Sequence, residues 1–594
     1  FETKADTDRN YALCAEKLLS HRPNLYPQFA THNAYSAATI LELAGQDMSG
    51  FEFQRLHGMG EALQDFLRTK LDQPVRIYAP VGEHEDLLAY LVRRLLENGA
   101  NSSFVAQVTD EDVSIEEIIT DPFLTDRHSV LPRPKEITAP HHNSAGYDLR
   151  EPETRDALLK AREHFKTATW EFGTTVTITN PARPEDIVGH VDFASESEAA
   201  DAIERARPWT VSAAKRAAIL NQAANDLEAA TPELMALLAR EAGKTAEDAI
   251  AEIREAADFL RYYATFASDA QKPLGVVAAI APWNFPLAIF IGQLAGPLAA
   301  GNAVIAKPAE ATPLIALRAT QILHASGIPD ATLQTIPGEG QIVGSALTSD
   351  ARIGGVVFTG STQTAMVINR NVAKHLAPEA PLVAETGGIN AMIVDSTALP
   401  EQAIKDVLAS SFQSAGQRCS ALRVLFVQED IYPSFLRLLK EAMQELRLGD
   451  PWDLSTDVGP VIDARAKRDL ETYIGQFKPA QTLEAPETGH FVPPTLIEVD
   501  GYEDIRREVF GPVLHITRFK ASEIPSIIEQ INQRDYSLTF GLHTRIDVRV
   551  EETKRALRVG NIYINRNQIG AVVGVQPFGG SALSGTGPKA GGPD

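Results

Sequence analysis

A long apolar stretch that is interrupted by helix breakers constrains the fold more than any other feature of this chain. From Pro273 to Ala306 nearly every residue is apolar, and a run of this length could cross a bilayer. Helix-breaking and amide residues divide the run at Pro282, Asn284, Pro286, Gly301 and Asn302. The pattern therefore predicts a buried strand, a loop and a helix inside an α/β core, and no membrane span.

Four strand-like runs follow one another at the spacing of strand–helix units. They lie at residues 275–280, 303–306, 333–336 and 355–358, with helix-like segments between them. Strands that alternate with helices in this way form a parallel sheet covered by helices.

The composition narrows the classes of protein to which the chain can belong. It has 594 residues and a net charge of −23, which argues against binding to nucleic acid or to an anionic membrane. Its 2 cysteines cannot form a disulfide framework in a chain this long. The polar first residues show no signal peptide, and we expect a reducing, cytoplasmic setting. We expect no metal centre.

Cys419 is the candidate nucleophile. It lies in the segment 416–420, Gly-Gln-Arg-Cys-Ser, where small and polar neighbours leave room for a substrate. The positive charge of Arg418 favours a thiolate, which is the form in which cysteine attacks an electrophile. The alternative is that Cys419 is a small buried hydrophobic residue of the core.

Six motifs in order carry a resemblance to a known family. They are Ala281-Pro-Trp-Asn-Phe-Pro286, Lys307-Pro-Ala-Glu310, Phe358-Thr-Gly-Ser361, Glu385-Thr-Gly-Gly388, Gly416-Gln-Arg-Cys-Ser420 and Glu508-Val-Phe-Gly-Pro512. With these motifs the chain resembles the NAD-dependent aldehyde dehydrogenases. Ser420, Gly570-Ala571 and the glycine-rich residues 585–593 more narrowly resemble the L-glutamate γ-semialdehyde (Δ1-pyrroline-5-carboxylate) dehydrogenase module of the proline utilization A family.

The resemblance, which runs from about Ala139 to the C-terminus, implies the α/β aldehyde dehydrogenase fold. It implies a linker with short helices at 106–166, a Rossmann-like NAD-binding domain at 167–385, an α/β catalytic domain at 386–576 and a C-terminal tail at 577–594. No G-x-G-x-x-G fingerprint follows the first strand, so NAD binding is expected to use the family's own variant of the fold. Similar modules usually dimerise, and we expect a homo-oligomer.

The resemblance also assigns catalytic and substrate-binding roles. Cys419 attacks the aldehyde, Asn284 and the Cys419 backbone N–H hold the oxyanion, and Glu385 activates the hydrolytic water. Ser420 and the backbone N–H groups of Gly570 and Ala571 would bind the carboxylate of the substrate.

Contacts to NAD follow from the same resemblance. Lys307 and Glu310 are expected at the adenosine ribose, Gly360 and Ser361 at the pyrophosphate, and Glu508 and Phe510 at the nicotinamide end. Glu310 is a carboxylate where a 2′-phosphate would otherwise lie, and this charge favours NAD over NADP.

Residues 1–105 show a second strand–helix rhythm, with strand-like runs at 26–33, 51–58 and 75–80. This rhythm suits a (β/α)8 barrel, whose chemistry lies at the carboxyl ends of its strands. The segment resembles the last part of the proline dehydrogenase barrel of the same flavoenzymes. A whole barrel takes about 250 residues, so we expect FAD to bind only if sequence absent from this chain completes the barrel.

For this partial barrel the resemblance implies FAD contacts at Thr31, His32, Asn33 and Glu97, and proline contacts at Tyr78, Arg93 and Arg94. Paired arginines suit bidentate capture of a carboxylate. The alternative for the two arginines is a solvated basic helix face.

The sequence thus predicts NAD-dependent oxidation of L-glutamate γ-semialdehyde to L-glutamate in proline catabolism, in a parent protein that also oxidises proline with FAD. The expected partners are these small-molecule substrates. Three alternatives stay open: a dehydrogenase for another aldehyde, a catalytically silent scaffold with the same fold, and, for residues 1–105, a purely structural role.

Overall fold

The chain divides into two units, Phe1–Arg133 and Pro134–Asp594. The structure, a computed structural model, describes residues 3–98, 104–124, 131, 134–137 and 141–592. Helices and parallel strands alternate in both units.

The first unit is built around a small parallel sheet. Its helices are α1 (Lys4–Ser20), α2 (Ala34–Ala44), α3 (Glu61–Lys70), α4 (His84–Asn98), α5 (Phe104–Thr109) and α6 (Ile115–Ile118). Its strands are β1 (Gln28–Ala30), β2 (Glu52–Leu56) and β3 (Val75–Tyr78), which pair in parallel in the order β1-β2-β3. Each lies inside a predicted run, so the predicted strands are confirmed.

An aromatic cluster fills the core of this unit, because alternate strand residues face α1 and α2. Phe29, Phe51 and Phe53 are buried, and the ring centroids of Phe51 and Phe53 lie 5.9 Å apart in an edge-to-face arrangement. Because the three strands are parallel, their carboxyl ends lie at the same end of the sheet.

The second unit carries more elements. Its α-helices are α7 (Pro152–Glu163), α8 (Glu196–Arg205), α9 (Ala213–Ala229), α10 (Thr231–Ala242), α11 (Ala246–Ala264), α12 (Ala288–Ala299), α13 (Pro313–Ala325), α14 (Ser345–Thr348), α15 (Thr362–His375), α16 (Pro400–Phe412), α17 (Tyr432–Gln444), α18 (Ala464–Ile474), α19 (Ile524–Gln533) and α20 (Asp547–Ala556). Its strands are β4 (Trp170–Phe172), β5 (Val176–Asn180), β6 (Arg183–Val191), β7 (Val276–Ile280), β8 (Ala303–Lys307), β9 (Leu333–Thr335), β10 (Ile353–Thr359), β11 (Leu382–Glu385), β12 (Asn390–Val394), β13 (Leu422–Gln428), β14 (Gln481–Thr482), β15 (Thr495–Glu498), β16 (Val513–Phe519), β17 (Tyr536–Ser537), β18 (Thr539–His543), β19 (Asn561–Ile564) and β20 (Ser581–Ala582).

The first large sheet of this unit is parallel throughout, in the order β11-β10-β7-β8-β9. All residues of β8 are buried, as expected for a strand covered by helices on both faces. The apolar stretch at 273–306 forms β7, a loop, helix α12 and most of β8, so the prediction of a buried strand, loop and helix is confirmed. Across the described residues, no helix has the length and apolar character needed to cross a membrane.

The second large sheet has the order β14-β15-β16-β13-β12-β18-β19. Its pairs are parallel except for β14 with β15. The central strands β12, β13 and β18 are buried along their whole length. Smaller sheets, β4-β6-β5 and β17-β20, complete the unit.

The two large sheets meet end to end. Strand β11 ends at Glu385 and β12 begins at Asn390, so residues 386–389 alone connect them. The carboxyl end of the first sheet therefore faces the amino end of the second, and the residues between the two ends form the candidate site.

Candidate active site

The carboxyl ends of neighbouring strands of the first sheet bring several predicted residues together. Lys307 is the last residue of β8, Glu385 ends β11, and Gly360 directly follows β10. Asn284 lies in the loop after β7. Ligands of parallel α/β sheets bind outside the carboxyl ends of the strands, and these four residues are at that position.

Lys307 and Glu310 form the start of a dinucleotide groove. The Lys307 ammonium lies 3.3 Å from Glu310 Oε1, and burial lowers its pKa. The same Glu310 oxygen accepts a hydrogen bond of 2.5 Å from the Gly340 N–H. A Cβ on Gly340 would lie 3.3 Å from Glu310, so the absence of a side chain there keeps the groove open. The sequence pattern Gly338-Glu-Gly340, a weak signal by itself, thus belongs to this groove.

The next groove element is the amino end of α15. Ser361 is its N-cap and accepts a hydrogen bond of 3.1 Å from the Thr364 N–H, while the Gly360 N–H donates to the Glu385 carbonyl at 3.1 Å. The amino end of a helix attracts phosphate because its first N–H groups are unpaired. The arrangement fits the pyrophosphate of a dinucleotide.

Glu508 and Phe510 line the other end of the groove. A Cβ on Gly387 would overlap the Glu508 carboxylate, so Glu508 reaches the connection between the two sheets. Phe510 packs edge-to-face on Trp283 at 5.6 Å. Burial raises the pKa of Glu508, which lies 3.6 Å from the Arg423 guanidinium. The contacts of Glu508 with Gly387 and of Phe510 with Trp283 place this pair near the connection between the sheets and near the loop after β7.

Cys419 lies in a tightly held turn just before β13. Ser414, Ala415 and Gly416 have φ values of 54°, 54° and 65°, a left-handed run that is unfavourable for residues with a side chain. Arg423 donates to the carbonyls of Gly416, at 2.8 Å, and Arg418, at 3.0 Å. These hydrogen bonds hold the turn in its strained conformation and thereby fix the position of Cys419.

Asp248, near the start of α11, holds the turn from the opposite side. Its carboxylate accepts hydrogen bonds from Arg418 at 2.7 Å and from Gln413 and Ser414 at 2.8 Å each. Asp248 is only 1% exposed. Burial opposes its ionisation, but the charges of Arg418 and Lys244 hold its pKa below the usual range.

Asn284 contacts the same turn. Its side-chain amide donates to the Gln417 carbonyl at 3.1 Å, two residues before Cys419, and its backbone carbonyl accepts from Lys244. The Asn284 amide is thus positioned beside the nucleophile, as an oxyanion donor must be.

Several groups act on the pKa of the Cys419 thiol, and Arg418 is one of them. Burial first, then the negative charges of Glu508 and Glu385, raise the pKa of the thiol to about 12. Arg418 lowers it, in the direction expected from the sequence, but by less than these three causes raise it. Burial and the two acids therefore outweigh the charge of Arg418 at the Cys419 thiol.

Glu385 points toward the C-terminal tail. Its Oε2 accepts a hydrogen bond of 3.0 Å from the Gly580 N–H, and its buried Oε1 has no hydrogen-bond partner among the described residues. Burial raises the pKa of the carboxyl to about 8, against the effects of that hydrogen bond and of the Lys589 charge. A carboxyl that titrates near neutrality suits a general base.

The predicted anchor for the substrate carboxylate lies beside the nucleophile. Ser420 is buried, and its backbone carbonyl accepts a hydrogen bond of 3.3 Å from the Gln568 side chain. Gln568 precedes Gly570 and Ala571 by two and three residues, so this bond brings their segment next to Ser420. Gly570 has a φ of 79° and open space beside it.

In the first unit the predicted residues follow the strand ends. Thr31, His32 and Asn33 come directly after β1, and Asn33 caps α2 by accepting from the Tyr35 N–H at 2.9 Å. A Cβ on Gly60 would overlap the His32 ring, so the ends of β1 and β2 are adjacent.

The other predicted residues of this unit lie on β3 and α4. Tyr78 ends β3 and is 36% exposed. Arg93 and Arg94 lie on α4, with Arg93 exposed and the Arg94 guanidinium 5.2 Å from the Tyr90 ring centroid. The side chain of Glu97 lies outside the described residues.

Comparison with known families accounts for nearly the whole chain. The model described as "Aldehyde dehydrogenase family" matches residues 169–594. The chain belongs to the aldehyde dehydrogenase family. Residues 1–107 match the model described as "Proline dehydrogenase". Both matches confirm the predicted resemblance.

Curated relatives show the same two-part pattern. The chain is 48% identical to the Bifunctional protein PutA of Klebsiella aerogenes, over 100% of this chain and 49% of that protein. It is 35% identical to 1-pyrroline-5-carboxylate dehydrogenase 1 of Halalkalibacterium halodurans, over 70% of this chain and 86% of that one. This aldehyde dehydrogenase family member thus spans about half the length of the PutA relatives that it matches.

Solved structures confirm the fold. Proline utilization A from Bradyrhizobium japonicum matches with a TM-score of 0.84 at 47% identity, over 100% of this chain and 62% of that one. A 1-pyrroline-5-carboxylate dehydrogenase from Thermus with bound NAD matches with a TM-score of 0.70 at 32% identity, over 76% and 96% of the two chains. The predicted aldehyde dehydrogenase fold, preceded by part of a proline dehydrogenase barrel, is confirmed.

Sequence reasoning missed the acidic face of helix α11 in this aldehyde dehydrogenase family member. Asp248, Glu252, Glu255 and Asp258 recur every three or four residues, which places them on one side of the helix. Glu252 pairs with Lys244 at 2.9 Å, and burial together with the charge of Glu252 raises the pKa of Glu255 to about 7. A sequence signal was available, because four acids at helical spacing lie on one face, although Glu247, Arg254 and Arg261 on the same helix weaken the pattern.

Proposed function

We propose that the second unit oxidises L-glutamate γ-semialdehyde, the open form of Δ1-pyrroline-5-carboxylate, to L-glutamate with NAD. The observation that carries the proposal is the placement of Cys419 between the Asn284 amide and the segment of Gly570 and Ala571. This arrangement supplies a nucleophile, an oxyanion donor and an anchor for the distal end of the substrate. Similarity to proteins named 1-pyrroline-5-carboxylate dehydrogenase supports the same substrate.

The first step forms a covalent bond to the enzyme. The Cys419 thiol gives its proton to the Glu385 carboxylate, which releases it to solvent, and the sulfur adds to the aldehyde carbon as the carbonyl oxygen becomes an oxyanion. The Asn284 side-chain amide and the Cys419 backbone N–H donate hydrogen bonds to this oxyanion, and loss of one such donor costs about 3 to 4 kcal/mol.

Residues near strands of both large sheets would hold the cofactor during this step. Lys307 and Glu310 would bind the adenosine ribose, Gly360 and Ser361 the pyrophosphate, and Glu508 and Phe510 the nicotinamide end. NAD, when bound, accepts the hydride that leaves the substrate carbon. The Glu310 carboxylate at the ribose would repel the additional phosphate of NADP.

The second step hydrolyses the thioester on Cys419. Glu385 takes a proton from water, the hydroxide adds to the thioester carbon, and the sulfur leaves as glutamate forms. Glu385 is directed at the Gly580 N–H, so its side chain must rotate toward Cys419 to serve this step.

Substrate selectivity depends on the charged groups of the semialdehyde. Ser420 and the backbone N–H groups of Gly570 and Ala571 would bind its carboxylate. Glu255, a largely buried acid within electrostatic range of Arg418 and Lys244, is the carboxylate we assign to the substrate ammonium group. Buried polar groups reject analogues that leave them unpaired.

For the first unit we propose the role of a barrel segment. Tyr78, Arg93 and Arg94 would bind the proline carboxylate, and Thr31, His32, Asn33 and Glu97 would contact FAD, when further strands complete the barrel. Assembly into a homo-oligomer and a cytoplasmic location stay predictions.

NADH formation tests the dehydrogenase proposal. Wild-type protein supplied with NAD and Δ1-pyrroline-5-carboxylate should form NADH, and Cys419→Ala should abolish it. Propanal is the matched control substrate because it lacks both charged groups. Equal kcat/KM for propanal and the semialdehyde would refute the assigned substrate, and NADH formation by Cys419→Ala would refute the nucleophile.

A further inference from the structure

The C-terminal tail covers the general base through a short antiparallel pairing. Thr586 N–H donates to the Ala384 carbonyl at 2.9 Å, and Thr386 N–H donates to the Ser584 carbonyl at 3.0 Å, on either side of Glu385. The bridge between Glu385 and Gly585 fixes the register of this pairing. A second bridge, between Phe578 and Ala590, closes the tail into a loop.

Three glycines of this loop make space for the Glu385 carboxylate. A Cβ on Gly579 or on Gly585 would lie 2.8 Å from Glu385 Oε1, which is closer than non-bonded carbon and oxygen atoms approach. Gly580 supplies the hydrogen bond to Oε2. The tail is therefore shaped around this one carboxylate.

Lys589 lies next to Gly579, as the Glu385 carboxylate does. The Cα and Cγ atoms of Lys589 would each lie 3.2 Å from the same Gly579 Cβ that would meet Glu385. The half-buried Lys589 ammonium donates a hydrogen bond to the Gly560 carbonyl, which fixes its position. The lysine side chain and the acid are therefore neighbours of the same glycine.

Lys589 is the cation that influences the Glu385 carboxyl within the part of the chain that the structure describes. Its charge and the Gly580 hydrogen bond favour the ionised carboxylate, whereas burial opposes it. The Cys419 thiolate, once formed, adds a negative charge within electrostatic range of Glu385. Without Lys589, less would oppose the effect of burial, and the carboxyl would hold its proton to higher pH.

We propose that Lys589 is a positioning residue for the general base, whose fixed positive charge favours the ionised form of the Glu385 carboxyl, the form that takes a proton from water. This inference rests on the proposed two-step reaction and names the group that regulates its second step. Lys589 contacts neither substrate nor cofactor, and it acts only through Glu385.

The test compares the pH dependence of thioester hydrolysis in Lys589→Met and Lys589→Arg. Stopped-flow NADH formation separates the two steps, because NADH appears before hydrolysis. In K589M the acidic limb of the pH profile of the steady-state rate should move to higher pH by about 0.5 to 1 unit, since the removed charge favoured the ionised acid. At pH 7 K589M should show a burst of NADH equal to the enzyme concentration, then a slow phase. K589R should keep the wild-type profile.

Two further variants complete the design. Gly579→Ala places a methyl group against both the Glu385 carboxylate and the Lys589 side chain, and it should move the acidic limb of the pH profile in the same direction. Lys554→Met removes an exposed lysine that pairs with Glu551 at 2.9 Å, and should change nothing. If K589M does not fold, as judged by thermal unfolding, K589Q replaces it as the neutral variant.

The outcomes separate this inference from the proposed function. A neutral Lys589 variant whose pH profile superimposes on wild type, or a K589R profile that moves as far as K589M, overturns the inference. Absence of NADH from wild type with the semialdehyde overturns the substrate instead, and the Lys589 comparison then runs with propanal, which uses the same hydrolytic step.

Discussion

Replacement of Asp248 by asparagine should destabilise the protein and misplace its nucleophile. The Asp248 carboxylate is 1% exposed and accepts three hydrogen bonds from the turn before Cys419. Asparagine keeps the volume and one acceptor oxygen but loses the charge. The buried Arg418 guanidinium is then left without its counter-ion.

The size of the effect follows from that burial. Removal of one partner of a buried ion pair costs about 3 to 5 kcal/mol, and retention of one acceptor places Asp248→Asn near 3 kcal/mol. The left-handed conformations of Ser414 and Ala415 cost about 1 to 2 kcal/mol each and lose part of their support. Displacement of the nucleophile by about 1 Å can lower kcat by about 100-fold.

Urea unfolding and steady-state NADH formation measure the two effects on the same samples. The matched control is Asp469→Asn, because Asp469 forms an exposed pair with Arg465 at 3.9 Å on α18 and should contribute at most about 0.5 kcal/mol. The double variant Asp248→Asn/Arg418→Gln should be more stable than the sum of the single changes, since it removes the uncompensated charge. An Asp248→Asn variant as stable and as active as Asp469→Asn would refute the reasoning.

Two further predictions concern the chemistry at Cys419. Asn284→Ala should lower kcat by about 100- to 1000-fold with little change in KM, because it removes a donor to the oxyanion; an unchanged kcat would exclude this role. In the absence of NAD, in a Cys14→Ser background, iodoacetamide should alkylate Cys419 slowly at pH 7 and faster as pH rises, since burial and the charges of Glu508 and Glu385 raise the pKa of the thiol to about 12. Glu508→Gln removes a negative charge beside the thiol and should accelerate alkylation at pH 8, and a slower reaction there would contradict the assigned cause.

Local patterns made much of the fold predictable. The apolar runs of β7 and β8 and the breakers between them are read directly along the chain, and they specify strand, loop and helix. The order of strands in the sheets was not predictable from local patterns, because it depends on which strands, distant in sequence, pair with each other. That β10 lies beside β7, and β12 beside β18, is decided by packing between segments far apart in sequence.

The sequence predicted those active-site residues that lie within short, recognisable motifs. Cys419, Asn284 and Glu385 lie in recognisable short segments. Asp248 contacts Arg418, 170 residues away, and the charge of Lys589 influences Glu385, 204 residues away, and short motifs do not reveal such pairs. The same limit applies to the Cys419 thiol, because Arg418 is adjacent in sequence whereas Glu508 and Glu385, which raise the pKa of the thiol, are not.

The short connection at residues 386–389 separates the reacting groups into two sets. Asn284 and Glu385 lie at strand ends of the first sheet, whereas Cys419 is tied to the second, where Asn390 donates to its backbone carbonyl at 2.6 Å. The Asn284 bond to the Gln417 carbonyl and the Asp248 pair with Arg418 cross from one set to the other. These side-chain contacts, and not the covalent connection alone, therefore set the position of Cys419 relative to the Asn284 amide.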